Sequence, residues 1–79
     1  PPEFPRSAQR RNLSGAVDLE FTVDTNGKVT DVLVVSSRPG ETFNQAAMDA
    51  VSQWRFQPYV QNGRAVEKRT AVRLSFDLN

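Results

Sequence analysis

The 79 residues contain no cysteine and no histidine. Without cysteine there is neither a disulfide framework nor a thiolate metal site to staple the fold. Without histidine the commonest general base and the commonest metal ligand are both missing. Neither charge sign is in excess: ten Lys and Arg stand against nine Asp and Glu, for a formal net charge of +1. That balance gives no strong footprint for nucleic acid or anionic lipid. No apolar run approaches the roughly 20 residues of a membrane span, and no signal peptide is visible. A chain this short buries only about 60% of its unfolded surface, so it makes one domain held by packing. Its seven aromatics, five Phe with one Trp and one Tyr, supply much of the buried area. The chain opens on Pro1-Pro2 without a methionine and reads as a domain cut from a longer protein, with residues 1–4 the end of a proline-containing linker and residues 5–79 the domain.

What is present is one helical stripe and three β segments. Phe43, Ala46, Ala47, Ala50, Val51 and Trp54 fall at the spacing of a single buried helix face. The spacing predicts a helix from Phe43 to about Phe56, with Thr42 as N-cap and Pro58 ending it. Pro5 suits the start of a shorter helix through residues 7–11. Residues 14–24 alternate, with Val17, Leu19, Phe21 and Val23 on one side and Ala16, Asp18, Glu20 and Thr22 on the other, a half-buried strand. Asp24-Thr25-Asn26-Gly27 is a hairpin turn, because Asn and Gly accept positive φ. The returning strand covers residues 28–37, where Val29, Val32 and Val34 cannot share one face by strict alternation. A three-residue turn with left-handed Gly27 and a bulge near Thr30-Asp31 brings Val32 opposite Phe21 and Val34 opposite Leu19. A two-residue turn needs no bulge but leaves Val29 outside. In both cases Leu33 and Val35 face outward and call for a partial shield. Residues 57–64 read as a loop turning at Asn62-Gly63, and residues 66–78 as one long last strand.

The expected fold is α+β: a short N-terminal helix, then β-β-α-β, with a three-stranded antiparallel sheet packed on one helix as a two-layer sandwich. Its expected core is Val17, Leu19, Phe21, Val23, Val32, Val34, Phe43, Ala47, Ala50, Val51, Trp54 and Phe56.

Chemistry is hard to place on this frame. Asp18 and Glu20 lie about 7 Å apart on one strand face, but solvated strand faces are commonly acidic, and no catalytic residue, metal or cofactor is expected. Phe21 and Phe76 alternate with core residues, so no aromatic pair is left to stack bases. What remains is a sheet edge. Lys68, Arg69 and Arg73 either blunt that edge against aggregation or flank a template left open for an extended peptide; composition does not choose between the two.

Several motifs nevertheless run in a recognisable order: Pro2-Glu3-Phe4-Pro5, Ala8, Gly15-Ala16-Val17, Phe21-Thr22-Val23-Asp24, Gly27-Lys28-Val29, Val32-Leu33-Val34 with Ser36-Ser37, Phe43 with Ala46-Ala47, Trp54-Arg55-Phe56-Gln57-Pro58, Gly63 and Leu74-Ser75-Phe76. In this order they resemble the C-terminal domain family of TonB, the energy transducer of Gram-negative bacteria. The 60–64 loop and long last strand look closer to shorter TonB paralogues than to the best-known members. The resemblance implies a periplasmic domain of a protein anchored in the inner membrane, working with ExbB and ExbD through its missing N-terminal part. It implies binding of the TonB box of outer-membrane transporters by strand addition, for uptake of iron-siderophore, haem or cobalamin. Carried over to this sequence, the docking strand is 66–76, with Val66, Lys68, Arg69, Thr70, Ala71, Val72, Arg73, Leu74 and Phe76 as partner-binding residues. Glu3 and Phe4 are auxiliary contacts, with Phe4 alternatively the shield of Leu33 and Val35, and Arg69 and Arg73 are candidates for pairing with transporter acids. Two other readings stand beside this one: a TolA-like or TonB-like envelope module that does not energise transport, and a self-association domain that forms a homodimer edge to edge.

Overall fold

A computed structural model describes residues 2–78; Pro1 and Asn79, at the far ends of the two expected segments, lie outside the described residues. The elements run α1 (Arg6–Arg10), β1 (Gly15–Val23), β2 (Val29–Arg38), α2 (Asn44–Ser52), β3 (Tyr59–Gln61), β4 (Arg64–Val66) and β5 (Lys68–Phe76). Strands β2, β1 and β5 form an antiparallel sheet in that order, so β1 is central and β2 and β5 are its edges.

The hairpin between β1 and β2 follows from two residues. The Asp24 Oδ1 accepts from the Asn26 N–H at 2.8 Å and the Lys28 N–H at 2.9 Å. Gly27, at φ 83, then closes the three-residue turn so that Val23 pairs with Val29. The ladder slips between Glu20 and Thr22, where Asp31 (φ 53) and Val32 stand against Phe21. This is the bulge expected with the three-residue turn. A second slip, between Asp18 and Leu19, sets Val35 out of register; nothing in the Val34-Val35-Ser36 run announced it.

The inner face of the sheet carries Val17, Leu19, Phe21 and Val23, all at most 1% exposed. α2 lays Phe43, Ala47 and Val51 onto it, and α1 adds Ala8. Val32, Val34 and Trp54 are half-buried against this cluster, while Ala50 and Phe56 are half-buried at its margin. At one end Phe43 stacks on Phe76 with centroids 4.6 Å apart. At the other end Phe21 meets Trp54 at 6.1 Å and Phe56 at 5.8 Å.

Several boundaries differ from the sequence reading, the last strand also ending at Phe76 and not at residue 78. α2 stops at Ser52, four residues before the expected Phe56, because the chain leaves it to pair with the hairpin turn: Arg55 bridges to Lys28, and the Phe56 N–H donates to the Gly27 carbonyl at 2.9 Å. The N-cap position falls to Phe43 rather than Thr42, whose hydroxyl instead accepts from the Arg11 guanidinium at 3.5 Å. The expected loop 57–64 is part of a short hairpin, β3 with β4, turning on Asn62 (φ 53) and Gly63 (φ 76). Val66 pairs there with Tyr59, so the last strand of the main sheet begins at Lys68 and not at Val66.

Candidate functional site

The two sheet edges are not alike. β2 is bulged twice, and bulges twist an edge away from further pairing. β5 pairs with β1 without a single slip, from Gly15 opposite Phe76 to Val23 opposite Lys68. Among the described residues, its far flank meets no strand of the sheet.

The direction of the β5 backbone groups follows from the turn. The Asp24 N–H donates to the Lys28 carbonyl at 2.8 Å, so Asp24 faces β2. Residues of a central antiparallel strand face alternate neighbours, so Val23, Phe21, Leu19 and Val17 face β5. Their partners Lys68, Thr70, Val72 and Leu74 are thereby satisfied. The N–H and C=O groups of Arg69, Ala71, Arg73 and Ser75 point to the open flank. The side chains alternate too: Thr70, Val72 and Leu74 are half-buried on the inner face and Phe76 is buried, whereas Arg69, Ala71, Arg73 and Ser75 are exposed.

The arginines leave this flank clear. The Arg73 guanidinium grips Asp18 with Nε to Oδ1 at 2.6 Å and Nη2 to Oδ2 at 3.0 Å, and the Ser36 hydroxyl donates to the same carboxylate at 2.7 Å. Arg69 reaches across to the Thr22 hydroxyl at 3.1 Å and the Asp31 carbonyl at 2.7 Å, with Glu20 at 3.8 Å. Both heads therefore lie over β1, away from the edge. Each head is thus engaged within the chain yet stays partly exposed, so an acid on a partner would meet a guanidinium that already has a carboxylate beside it. The pair of acids once weighed for catalysis, Asp18 and Glu20, are the receivers. Ala71, between the two arginines, leaves a shallow depression of about 390 Å³ with Val35 among its lining.

Phe4 is not on the outer face. Its ring meets Phe43 at 5.3 Å and Phe76 at 6.0 Å, edge-on to both. The shield reading is thus corrected, and Leu33 and Val35 stay 54% and 55% exposed. Glu3 is exposed beside a groove of about 440 Å³ between residues 2–6 and α2, lined also by Ala46, Asp49 and Ala50. Phe4 touches the end of β5, and Glu3 is its chain neighbour.

The Arg73 and Ser36 hydrogen bonds hold the Asp18 carboxyl at about 2, below its ordinary 3.8, against a small opposing effect of desolvation. A carboxyl whose folded value is depressed contributes stability above its unfolded value and loses it as pH falls towards the folded one. The window is therefore pH 3.8 down to about 2. Melting curves of the wild type and Asp18→Asn should differ at pH 6 and converge across that window. A constant gap at all pH values would remove the ion pair from the account.

A small antiparallel sheet with a helix over one face and one straight edge that pairs with no other described strand has the form of a domain able to accept an added strand. The chain belongs to the TonB C-terminal domain family: the model for the Gram-negative bacterial TonB protein C-terminal matches residues 1–78. It is 39% identical over 79 residues to Protein TonB of Xanthomonas campestris pv. campestris (strain B100), covering 100% of this chain and 35% of that protein. It is 33% identical over 78 residues to Protein TonB of Pseudomonas aeruginosa, covering 99% of this chain and 23% of that one. The solution NMR structure of the Pseudomonas aeruginosa TonB CTD superposes with a TM-score of 0.85 at 33% identity, over 99% of this chain and 79% of the other. The chain thus spans about a quarter to a third of the curated relatives it matches.

Proposed function

We propose that this chain is the periplasmic C-terminal domain of a TonB-type energy transducer and that it captures the TonB box of outer-membrane transporters along the open flank of β5. The observation that carries the reading is the regular, unpaired β5 edge, with both of its arginine heads folded back over β1. Family membership supports the rest of the proposal. The whole protein is anchored in the inner membrane, works with ExbB and ExbD, and serves uptake of iron-siderophore, haem or cobalamin. Residues 5–79 are its domain and residues 1–4 the end of a linker whose Phe4 docks on the core. Lys68, Thr70, Val72, Leu74 and Phe76 hold the strand in place from the inner side, and Arg69, Ala71 and Arg73 offer the backbone groups. Each added backbone hydrogen bond contributes a net of about 0.5–1.5 kcal/mol, and ordering the peptide offsets much of the sum. Capture is therefore weak and reversible in isolation. Because the bonds lie side by side along β5, a pull along the strand loads them together.

Proline separates the two flanks of β5. Ala71→Pro removes an N–H that points outward and no ladder bond, a change edge strands tolerate. A titrated TonB-box peptide should then bind at least about tenfold more weakly, with the melting temperature nearly unchanged. Val72→Pro removes a ladder donor and should cost about 3 kcal/mol or more. Full peptide affinity in a folded Ala71→Pro domain sinks the proposal. A mass that doubles with concentration and no peptide response would instead favour the homodimer.

A further inference from the structure

The open flank does not end where β5 ends. The two-residue turn at Asn62-Gly63, with both φ values positive, makes Gln61 and Arg64 a hydrogen-bonded pair. By alternation Val66 also faces β3, opposite Tyr59, and Ala65 faces away. Two residues on, Lys68 faces β1, opposite Val23. With Glu67, the single residue between β4 and β5, extended, the same parity runs through it and sets β3 and β1 end to end on one flank. Two further observations agree. The Lys68 Nζ sits 5.7 Å over the Tyr59 ring, which puts Lys68 on the face shared by Tyr59 and Val66, as an extended Glu67 requires. The described residues extend 50 × 19 × 18 Å, a long axis that suits a β3–β4 hairpin prolonging the sheet better than one folded back on it. Ala65 and Glu67 are exposed, and no proline interrupts the chain after Pro58.

We propose that the docking edge is one continuous template from Ala65 to Ser75, so that the captured partner is an extended segment of about eleven residues, its far part held by the outward backbone groups of Ala65 and Glu67 on the hairpin. This rests on strand addition at β5 and enlarges it. The occupant is an unstructured polypeptide continuous with the segment on β5, because a flank of bare N–H and C=O groups recognises main chain. The exposed Val60, 68% accessible on the face of Ala65, offers that segment an apolar contact.

The test uses the 79-residue chain and peptide probes of two lengths. One carries the TonB box alone. Two others prolong it by about five alternating valines and threonines, one at each end, to cover the added length of β4. One prolonged peptide should bind on the order of tenfold more tightly than the short one. Glu67→Pro should erase that gain and leave the short peptide's affinity as it was. In the wild type, the Ala65 and Glu67 amides should gain exchange protection only with the prolonged peptide. If the short peptide binds and neither prolongation gains affinity or protection, the extended template is wrong while capture at β5 stands. If the short peptide does not bind at all, both fall together.

Discussion

Gly27→Ala should lower stability by about 3 kcal/mol, whereas Gly63→Ala should cost about 1 kcal/mol. Both glycines turn hairpins at positive φ, 83° and 76°, so both substitutions pay the same backbone strain. They differ in what a methyl group would meet. At Gly63 nothing lies within 4 Å. At Gly27 the added carbon falls inside the van der Waals shell of the Phe56 carbonyl oxygen, and backbone cannot move aside like a flexible side chain. The Phe56 N–H also donates to the Gly27 carbonyl at 2.9 Å, so relieving the clash breaks the bond that pins residues 54–56 over the turn. Trp54 and Phe56 would lose their seats beside Phe21. For a domain of this size, 3 kcal/mol is a drop of about 12–24 °C in the melting temperature. Urea denaturation of the two variants side by side checks it, and equal losses would refute the role given to the contact.

Phe43→Ala should be more damaging still, at about 3–5 kcal/mol. Small domains hold only about 5–15 kcal/mol in total, so the variant should lose a large share of its stability and melt well below the wild type. Phe43 is 1% exposed, stacks on Phe76 and takes the edge of Phe4. At Gly15, paired with Phe76, an added side-chain carbon would run into the Arg38 carbonyl oxygen and the Phe43 ring. Phe43→Leu keeps most of the volume and should cost far less, near 1 kcal/mol. Chemical shifts report the local effect: the Phe4 ring resonances should move towards free values in the alanine variant. A loss under about 1 kcal/mol, or an unmoved Phe4, would show that this aromatic cluster is not the anchor of the N-terminal segment.

Much of this arrangement is legible in the chain. The Asp24 to Gly27 turn and the uneven valines of β2 narrow the hairpin to two registers, and the observed one, with its bulge, is the one that also pairs Val29 with Val23. The second bulge is not legible, because Val34 and Val35 serve equally well inside. The extent of α2 misleads for a tertiary reason. Trp54 continues the helical spacing, but it is drawn off the helix by a turn about 27 residues earlier in sequence. The Asn62-Gly63 turn is visible, yet the strands beside it are too short to assert themselves. The fate of the arginines is the clearest limit. That Arg73 lies beside Asp18 depends on β1 being central and on its register with β5, a long-range fact that no local pattern encodes. Alternation separated the two faces of the last strand, and only the family resemblance singled it out for docking; the neighbouring strand decided where its charges turn.

Phe4 has a further consequence. Its ring rests against Phe76, the last residue of β5, as well as Phe43 on the lip of α2. Under the proposed function, tension arriving along residues 2–5 would enter the domain at the root of the docking strand, bypassing the β3–β4 hairpin. The lead-in and the grip share a hinge pin, and slack at that pin would be felt first by whatever is held on β5.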